Sequence, residues 1–209
     1  MPYHGSVKTE LRILMNDLER KLKHKKRIRV IGFDDSPFDK QQSQKVHIAG
    51  IVCSNTRFEG MLWGEVTKDG NDATDIIIDL ICQSKFHQQI DLVILDGIAV
   101  GGFNIIRLKD LSQNINRPCI AVMRKPPNLS AIDQALANFD DMEQRQADIQ
   151  QAGPILQRNG FVFQVVGCSD DIAALVLAQL TDTGHVPEAL RLAHLIGSAI
   201  KTGESSRRA

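Results

Sequence analysis

The stretch that decides the fold is Arg27-Ile28-Arg29-Val30-Ile31-Gly32-Phe33-Asp34-Asp35-Ser36-Pro37. Its β-branched apolar run is typical of a buried strand, and the proline ends that strand just after two adjacent carboxylates. Residues 90–97 repeat the pattern, because an apolar run there ends in Asp96 and Gly97. If the two strands lie side by side, Asp34 and Asp96 come within reach of one cation.

The composition favours a single domain that closes one hydrophobic core. The chain has 209 residues, of which 43% are apolar, and it carries 25 basic and 25 acidic residues. A chain of this length buries a core without disulfides. The zero net charge gives no indication of a broad basic face that binds DNA regardless of its sequence.

The four cysteines predict buried thiols in a reducing compartment rather than a zinc or redox site. They lie far apart, with no Cys-x-x-Cys spacing, at Cys53, Cys82, Cys119 and Cys168. The sequence carries no basic-then-apolar leader, and no apolar run approaches the roughly 20 residues that span a bilayer. We therefore expect a cytoplasmic protein without membrane contact.

Hydrophobic periodicity predicts a β part followed by an α/β part. Strands at 46–53 and 61–66 follow the first strand, and their short links favour an antiparallel meander. A turn and N-cap at 69–74 precede a helical stripe at 76–81, and a second helix is predicted near 104–111. These helices alternate with strands at 91–95 and 119–123, which implies parallel pairing by right-handed crossovers. The basic run 21–29 is either a solvated connection or a rim that contacts phosphate.

The remainder of the chain is predicted to be a polar lid or surface excursion, followed by a last strand and two helices. Residues 131–151 are polar and helix-prone, the strand spans 161–166, and the helices start at Ser169 and Pro187. This order predicts a ribonuclease H-like α/β fold: three antiparallel strands, then alternating helices and parallel strands, with helices on both faces. We divide the chain into an N-terminal helical segment (1–26), the domain (27–203) and a flexible tail (204–209).

Acids at the ends of strands and helices are the candidate metal ligands. Asp34 and Asp96 end strands, Asp69 and Asp72 precede a helix, and Asp171 falls in the first turn of a later helix. Carboxylate oxygens suit Mg²⁺, which keeps several waters and takes substrate phosphate as a further ligand. Each acid also has a structural interpretation, as a turn residue or as a partner of the helix dipole.

Several segments together resemble the mainly archaeal family called domain of unknown function 99. They are Gly32-Phe33-Asp34-Asp35-Ser36-Pro37-Phe38, Asp69-Gly70-Asn71-Asp72-Ala73-Thr74, Leu95-Asp96-Gly97-Ile98 with Gly102-Phe103-Asn104, and Arg124-Lys125-Pro126. That family is in turn similar to endonuclease V, a metal-dependent enzyme that cleaves near deaminated bases. The aromatic and proline wedge with which endonuclease V opens the duplex has no clear counterpart here.

The resemblance implies a role for each matching residue. Asp34 and Asp96 match the two strand-end metal ligands, and Asp72 or Asp69 falls where endonuclease V has a glutamate ligand. Arg124, with Lys125 beside it, falls on the active-site lysine. The late histidine or acid of endonuclease V falls around 167–171, where Asp170 or Asp171 could substitute.

We therefore expect a Mg²⁺- or Mn²⁺-dependent phosphodiesterase that acts on DNA or RNA. The expected catalytic residues are Asp34, Asp72, Asp96, Asp171, Arg124 and Lys125. The first three hold the metal, Asp171 assists, and Arg124 or Lys125 holds phosphate. The alternatives are a non-catalytic nucleic-acid- or partner-binding protein that retains the fold, and a nucleotide-binding enzyme. The substrate's lesion or structure and the oligomeric state stay open.

Overall fold

The computed structural model describes residues 17–206, and a seven-stranded mixed sheet forms its centre. The strands are β1 (Arg29–Asp35), β2 (Lys45–Ser54), β3 (Arg57–Thr67), β4 (Leu92–Asp96), β5 (Ala99–Val100), β6 (Asn104–Ile105), β7 (Cys119–Met123), β8 (Leu156–Arg158) and β9 (Phe161–Val166). The helices are α1 (17–23), α2 (Ala73–Cys82), α3 (Leu108–Ile115), α4 (Leu129–Leu136), α5 (Met142–Gln151), α6 (Asp170–Gln179) and α7 (Glu188–Thr202).

The order of the strands in the sheet is β3-β2-β1-β4-β7-β9-β8. Strands β1 to β3 form the predicted antiparallel meander, and β4 and β7 continue the sheet in parallel with β1. Strands β9 and β8 close the other edge with antiparallel pairing. The predicted mixed sheet is therefore confirmed.

Helices cover both faces of the sheet, because the buried strands are apolar on both sides. In β1, Val30 faces the core under α6 and α7, whereas Ile31 and Phe33 face the core under α2 and α3. Strand β4 alternates in the same way, since Ile94 belongs to the first core and Leu95 to the second. Each residue at the end of β1 or β4 therefore has a defined side of the sheet.

Two predicted segments differ in detail from the structure. The helix expected at 104–111 begins at Leu108, because residues 104–105 pair with Ala99 and Val100 in a short hairpin. The polar segment 131–151 contains two helices, α4 and α5, which are joined by a short turn. We call residues 129–151 the α4–α5 segment.

The N-terminal helix packs on the domain where the structure describes it. Leu18 is buried in the core beside the sheet, and Lys21 Nζ lies 2.5 Å from Asp91 Oδ1. The earlier turns of the predicted helix, and residues 207–209, lie outside the described residues. Between residues 17 and 206, no helix has the length and apolar character needed to cross a membrane.

Candidate functional site

The carboxyl ends of β1 and β4 bring Asp34 and Asp96 together. The two strands are parallel, and Phe33 pairs with Leu95, so each acid follows a paired residue. Both carboxylates point toward the face that carries α7, because side chains alternate along a strand. Burial raises the pKa of Asp96, and the charge of Asp34 raises it further.

Helix α7 adds a histidine to these acids. His194 Nδ1 lies 3.0 Å from Asp34 Oδ2, and the other carboxylate oxygen of Asp34 accepts from the amide of Asp35 at 2.8 Å. The hydrogen bond to Asp34 raises the pKa of His194 above 6.5, although partial burial of the ring opposes this shift. A carboxylate that accepts from the ring holds the imidazole in one orientation.

Two glycines allow α7 to lie directly against the end of β1. A Cβ at Gly32 would come 2.9 Å from the Cβ of Ala189 and 3.0 Å from its carbonyl carbon. A Cβ at Gly197 would come 2.7 Å from Ser36 Oγ. His194 lies between these two close contacts on the same helix, so the packing of α7 on β1 sets its distance from Asp34.

Arg124 and Lys125 follow β7 on the other side of Asp96. One guanidinium nitrogen of Arg124 lies 3.3 Å from Asp96 Oδ2, and the side chain is half-exposed. This cation opposes the upward shift in the pKa of Asp96. Lys125 is exposed beside it. The structure thus brings the predicted phosphate-holding pair to the same sheet edge as the two acids.

Asp35 points to the opposite face from Asp34, as strand alternation requires. Its Oδ2 accepts a hydrogen bond of 2.6 Å from the amide of Gly101, in the turn after β5. Burial raises the pKa of Asp35 to about 6, the bond from Gly101 lowers it, and the charges of Asp34 and Asp96 raise it. The adjacent acids avoid direct contact by facing opposite sides of the sheet.

Asp72 is engaged in the turn between β3 and α2. Its carboxylate accepts from Thr67 Oγ1 at 2.7 Å, from the Thr67 amide at 3.0 Å and from Asn104 Nδ2 at 2.6 Å. Burial raises the pKa of Asp72, but the hydrogen bonds outweigh it, so the pKa is lowered overall. The carboxylate therefore links β3 to the β5–β6 hairpin, because Oδ1 accepts from both Thr67 and Asn104.

Asp69 accepts a backbone hydrogen bond, and Asp171 forms an ion pair at the start of α6. Asp69 Oδ1 accepts from the amide of Phe103 at 2.8 Å. Asp171 is 77% exposed at the start of α6 and lies 3.6 Å from Arg158, which also binds Asp170 at 2.6 Å. Within residues 17–206, no three His, Cys, Asp or Glu side chains converge in a way that could hold a metal ion.

His194 is the site residue that sequence reasoning missed. We expected a late histidine or acid around residues 167–171, whereas the imidazole beside Asp34 comes from α7. The available signal was its place in the helix, because His194 directly follows Ala193 of the buried stripe. A polar side chain beside an apolar helical stripe indicates a group held at the edge of a core.

Archaeal proteins are among those to which this chain is similar. A UPF0215 protein of Thermococcus kodakarensis is 38% identical over 192 residues, which are 88% of this chain and 98% of that protein. The crystal structure of a protein of unknown function from Archaeoglobus fulgidus matches with a TM-score of 0.78 and 33% identity. The match covers 83% of this chain and 98% of that chain.

Endonuclease V shares the fold at low sequence identity. The Bacillus subtilis enzyme has a TM-score of 0.58 at 10% identity, covering 92% of this chain and 91% of its own. The Ciona intestinalis enzyme, in complex with DNA containing an inosine, has a TM-score of 0.51 at 15% identity, covering 89% and 92%. The predicted ribonuclease H-like fold and the predicted resemblance to an archaeal family similar to endonuclease V are confirmed. A family model described as Endonuclease dU matches residues 26–201, and the chain therefore belongs to the endonuclease dU family.

Proposed function

We propose that this protein is a divalent-metal-dependent endonuclease that hydrolyses phosphodiester bonds in nucleic acid. The observation that carries the proposal is the meeting of Asp34 and Asp96 at the ends of two parallel strands, with His194 on one side and Arg124 on the other. The family description makes DNA that contains deoxyuridine the first substrate to test. We place its action in the cytoplasm, where its free thiols stay reduced.

The donor set at the sheet edge fits a hard cation. Asp34 and Asp96 offer carboxylate oxygens, which Mg²⁺ and Mn²⁺ prefer. Burial and mutual repulsion disfavour the charged form of Asp96, and a cation between the acids would reverse that effect. When bound, such an ion supplies a Lewis acid that neutralises phosphate charge and makes water more acidic. Asp72 as a third ligand stays a prediction.

The chain's own residues then have separate tasks. Asp34 orients His194 through Nδ1, which leaves the other ring nitrogen to exchange a proton with the substrate. Arg124 contacts Asp96 through one nitrogen only, so the rest of its planar fork is available to a phosphate oxygen. Lys125 adds a second cation on the exposed side. A role for Asp171 stays a prediction, since its contacts lie with Arg158.

Cleavage assays on single-stranded and duplex oligonucleotides test this proposal. The set contains DNA with deoxyuridine, DNA with deoxyinosine, undamaged DNA and RNA, each with Mg²⁺, Mn²⁺ or chelator. We expect metal-dependent cleavage that Asp34→Asn and Asp96→Asn each reduce by about 10³-fold. Asp91→Asn is the matched control. Asp91 directly precedes the first residue of β4, whereas Asp96 is the last, and Asp91 binds Lys21.

Calorimetry tests metal binding independently of cleavage. Mn²⁺ should bind the wild type and not the double variant that carries both Asp34→Asn and Asp96→Asn. If the wild type cleaves no oligonucleotide but binds nucleic acid in a salt-dependent manner, the protein is a binding protein that retains the fold. Full activity in either single variant would refute the assignment of that acid.

A further inference from the structure

Helix α5 is anchored by a buried guanidinium. Within this helix the buried side chain is Arg145, which is only 8% exposed. Apolar side chains usually dock a surface helix, but the sequence of α5, Met-Glu-Gln-Arg-Gln-Ala-Asp-Ile-Gln-Gln, offers few of them. The contacts of Arg145 therefore explain how the α4–α5 segment stays on the domain.

Arg145 reaches out of its helix to two loops. Its Nη2 donates to the carbonyl of Asp69 at 2.9 Å, and its Nη1 donates to the carbonyls of Gly70, at 3.2 Å, and Phe103. Its Nε donates to Asp141 Oδ1 at 2.6 Å. The guanidinium also stacks 4.4 Å from the ring of Phe139. Burying a cation away from water is costly, and the hydrogen bonds to these carbonyls and to Asp141 offset the cost.

Three of the residues that Arg145 contacts, Asp69, Phe103 and Phe139, line a cavity. The cavity has a volume of about 320 Å³, and its main lining side chains are Phe38, Lys40, Lys68, Asp69, Phe103 and Phe139. The rings of Phe103 and Phe139 lie 5.6 Å apart, one on the domain and one on the α4–α5 segment. Aromatic walls beside two ammonium groups suit a planar ring that carries a phosphate, which is the chemistry of a nucleotide.

A chain of hydrogen bonds connects this cavity to the end of β1. The amide of Asp69 donates to the carbonyl of Gly101 at 2.8 Å, and the amide of Gly101 donates to Asp35 at 2.6 Å. Asp35 directly follows Asp34. The cavity wall is thus joined to the end of β1 through Asp35, whose side chain faces the opposite side of the sheet from Asp34. None of the contacts of Arg145 described above involves Asp34, Asp96 or His194.

We propose that Arg145 is a positioning residue, which docks the α4–α5 segment and thereby completes a nucleotide-binding cavity near the end of β1. This inference rests on the proposed function, because the occupant of the cavity is one nucleotide of the substrate strand. Arg145 holds the walls of the cavity and contacts none of the reacting groups. Its loss should weaken substrate binding and leave the chemical step unchanged.

Steady-state kinetics of Arg145→Gln and Arg145→Lys test the division between binding and chemistry. We expect Arg145→Gln to raise KM about tenfold, with kcat within about twofold of wild type. Arg145→Lys keeps the charge but lacks the planar guanidinium that reaches two loops. Its KM should therefore lie between those of the wild type and Arg145→Gln. Arg29→Gln is the control, because it removes an ion pair with Glu59 at the start of β1, the opposite end of that strand from Asp34. A fall in kcat at constant KM would overturn the proposal.

Two further measurements do not depend on cleavage. Deoxyuridine 5′-monophosphate is titrated by calorimetry into the wild type, Arg145→Gln and Phe139→Ala, and we expect both variants to bind about tenfold more weakly. Hydrogen exchange should accelerate in Arg145→Gln at residues 69–70 and 101–103, where the chain is fastened. No binding by the wild type, or unchanged binding and exchange in the variants, would overturn the inference.

The proposed function and this inference can fail separately. If the wild type cleaves nothing, the endonuclease assignment fails, while nucleotide binding and exchange still decide the role of Arg145. If Arg145→Gln does not fold, Arg145→Lys and Phe139→Ala carry the test, provided that their unfolding temperatures match the wild type. Weaker binding in these folded variants supports the inference, and wild-type binding overturns it.

Discussion

The contact between Gly32 and α7 gives a test of how the site is positioned. A methyl group at residue 32 would lie 2.9 Å from the Ala189 Cβ and 3.1 Å from the amide nitrogen of Leu190, whereas ordinary contacts are 3.4–4 Å. Two of its three nearest atoms belong to the α7 backbone, so the helix must retreat by roughly 0.5–1 Å. Such overpacking costs about 1–3 kcal/mol, which corresponds to a fall in Tm of roughly 2–12 °C for a chain of this size.

The same retreat should break the bond between His194 and Asp34. That bond is 3.0 Å long, and a shift of this size takes it past the usual limit for a hydrogen bond. Since the bond is the main cause of the raised pKa of His194, the pKa of this residue should fall back toward 6.5 in Gly32→Ala. Thermal unfolding gives the change in stability, and histidine NMR titration gives the pKa.

Gly64→Ala is the matched control. Gly64 also lies in the sheet, but its added methyl group would meet only the flexible end of the Leu80 side chain. Both variants lower the entropy of the unfolded chain by the same amount, so their difference isolates the contact with α7. Equal Tm values for the two variants, with an unchanged titration of His194, would refute the idea that close packing of α7 on β1 positions the histidine.

Three further outcomes follow from the charges and turns near the site. In chelator, Asp35 binds its proton more tightly in the native protein than in the unfolded chain, because its pKa is raised from 3.8 to about 6. The free energy of unfolding contributed by this group should therefore fall as pH rises from about 4 to 6. Asp35→Asn should remove that fall and raise Tm at pH 7. Thermal unfolding measured across this pH range checks both outcomes. Asp72→Ala removes the acceptor of three donor groups and should cost about 2–4 kcal/mol in urea unfolding. Lost cleavage in Asp72→Asn at native stability would instead favour the ligand role. Gly102→Ala combines a φ of +90° with a methyl group 2.2 Å from Asp69 Oδ1, so it should unfold at a lower temperature than Gly203→Ala, whose φ is +86° in open space.

Local patterns were sufficient for most of the sheet. The predicted strands at 119–123 and 161–166 have these bounds in the structure. The N-cap of α2 is Asp72, within the predicted turn at 69–74, and the N-cap of α6 is Ser169, where the sequence predicts the helix to start. Buried strands and capped helices leave a periodic or positional mark within a few residues. The hairpin at 99–105 left none, because its two-residue strands are too short for a period, and a helix was predicted from 104 instead.

The sequence by itself determined the fold and the place of Asp34 and Asp96 at strand ends, because an acid that ends a buried strand is visible in the strand's own residues. Only the tertiary structure decided which partners these acids have. His194 lies 160 residues from Asp34 along the chain, and Arg145 lies 76 residues from Asp69. Both side chains are polar and sit in helices, where local pattern cannot distinguish a solvent-facing group from one aimed at a distant loop. Their partners depend on how α7 crosses the sheet and how α5 docks, which only long-range packing sets.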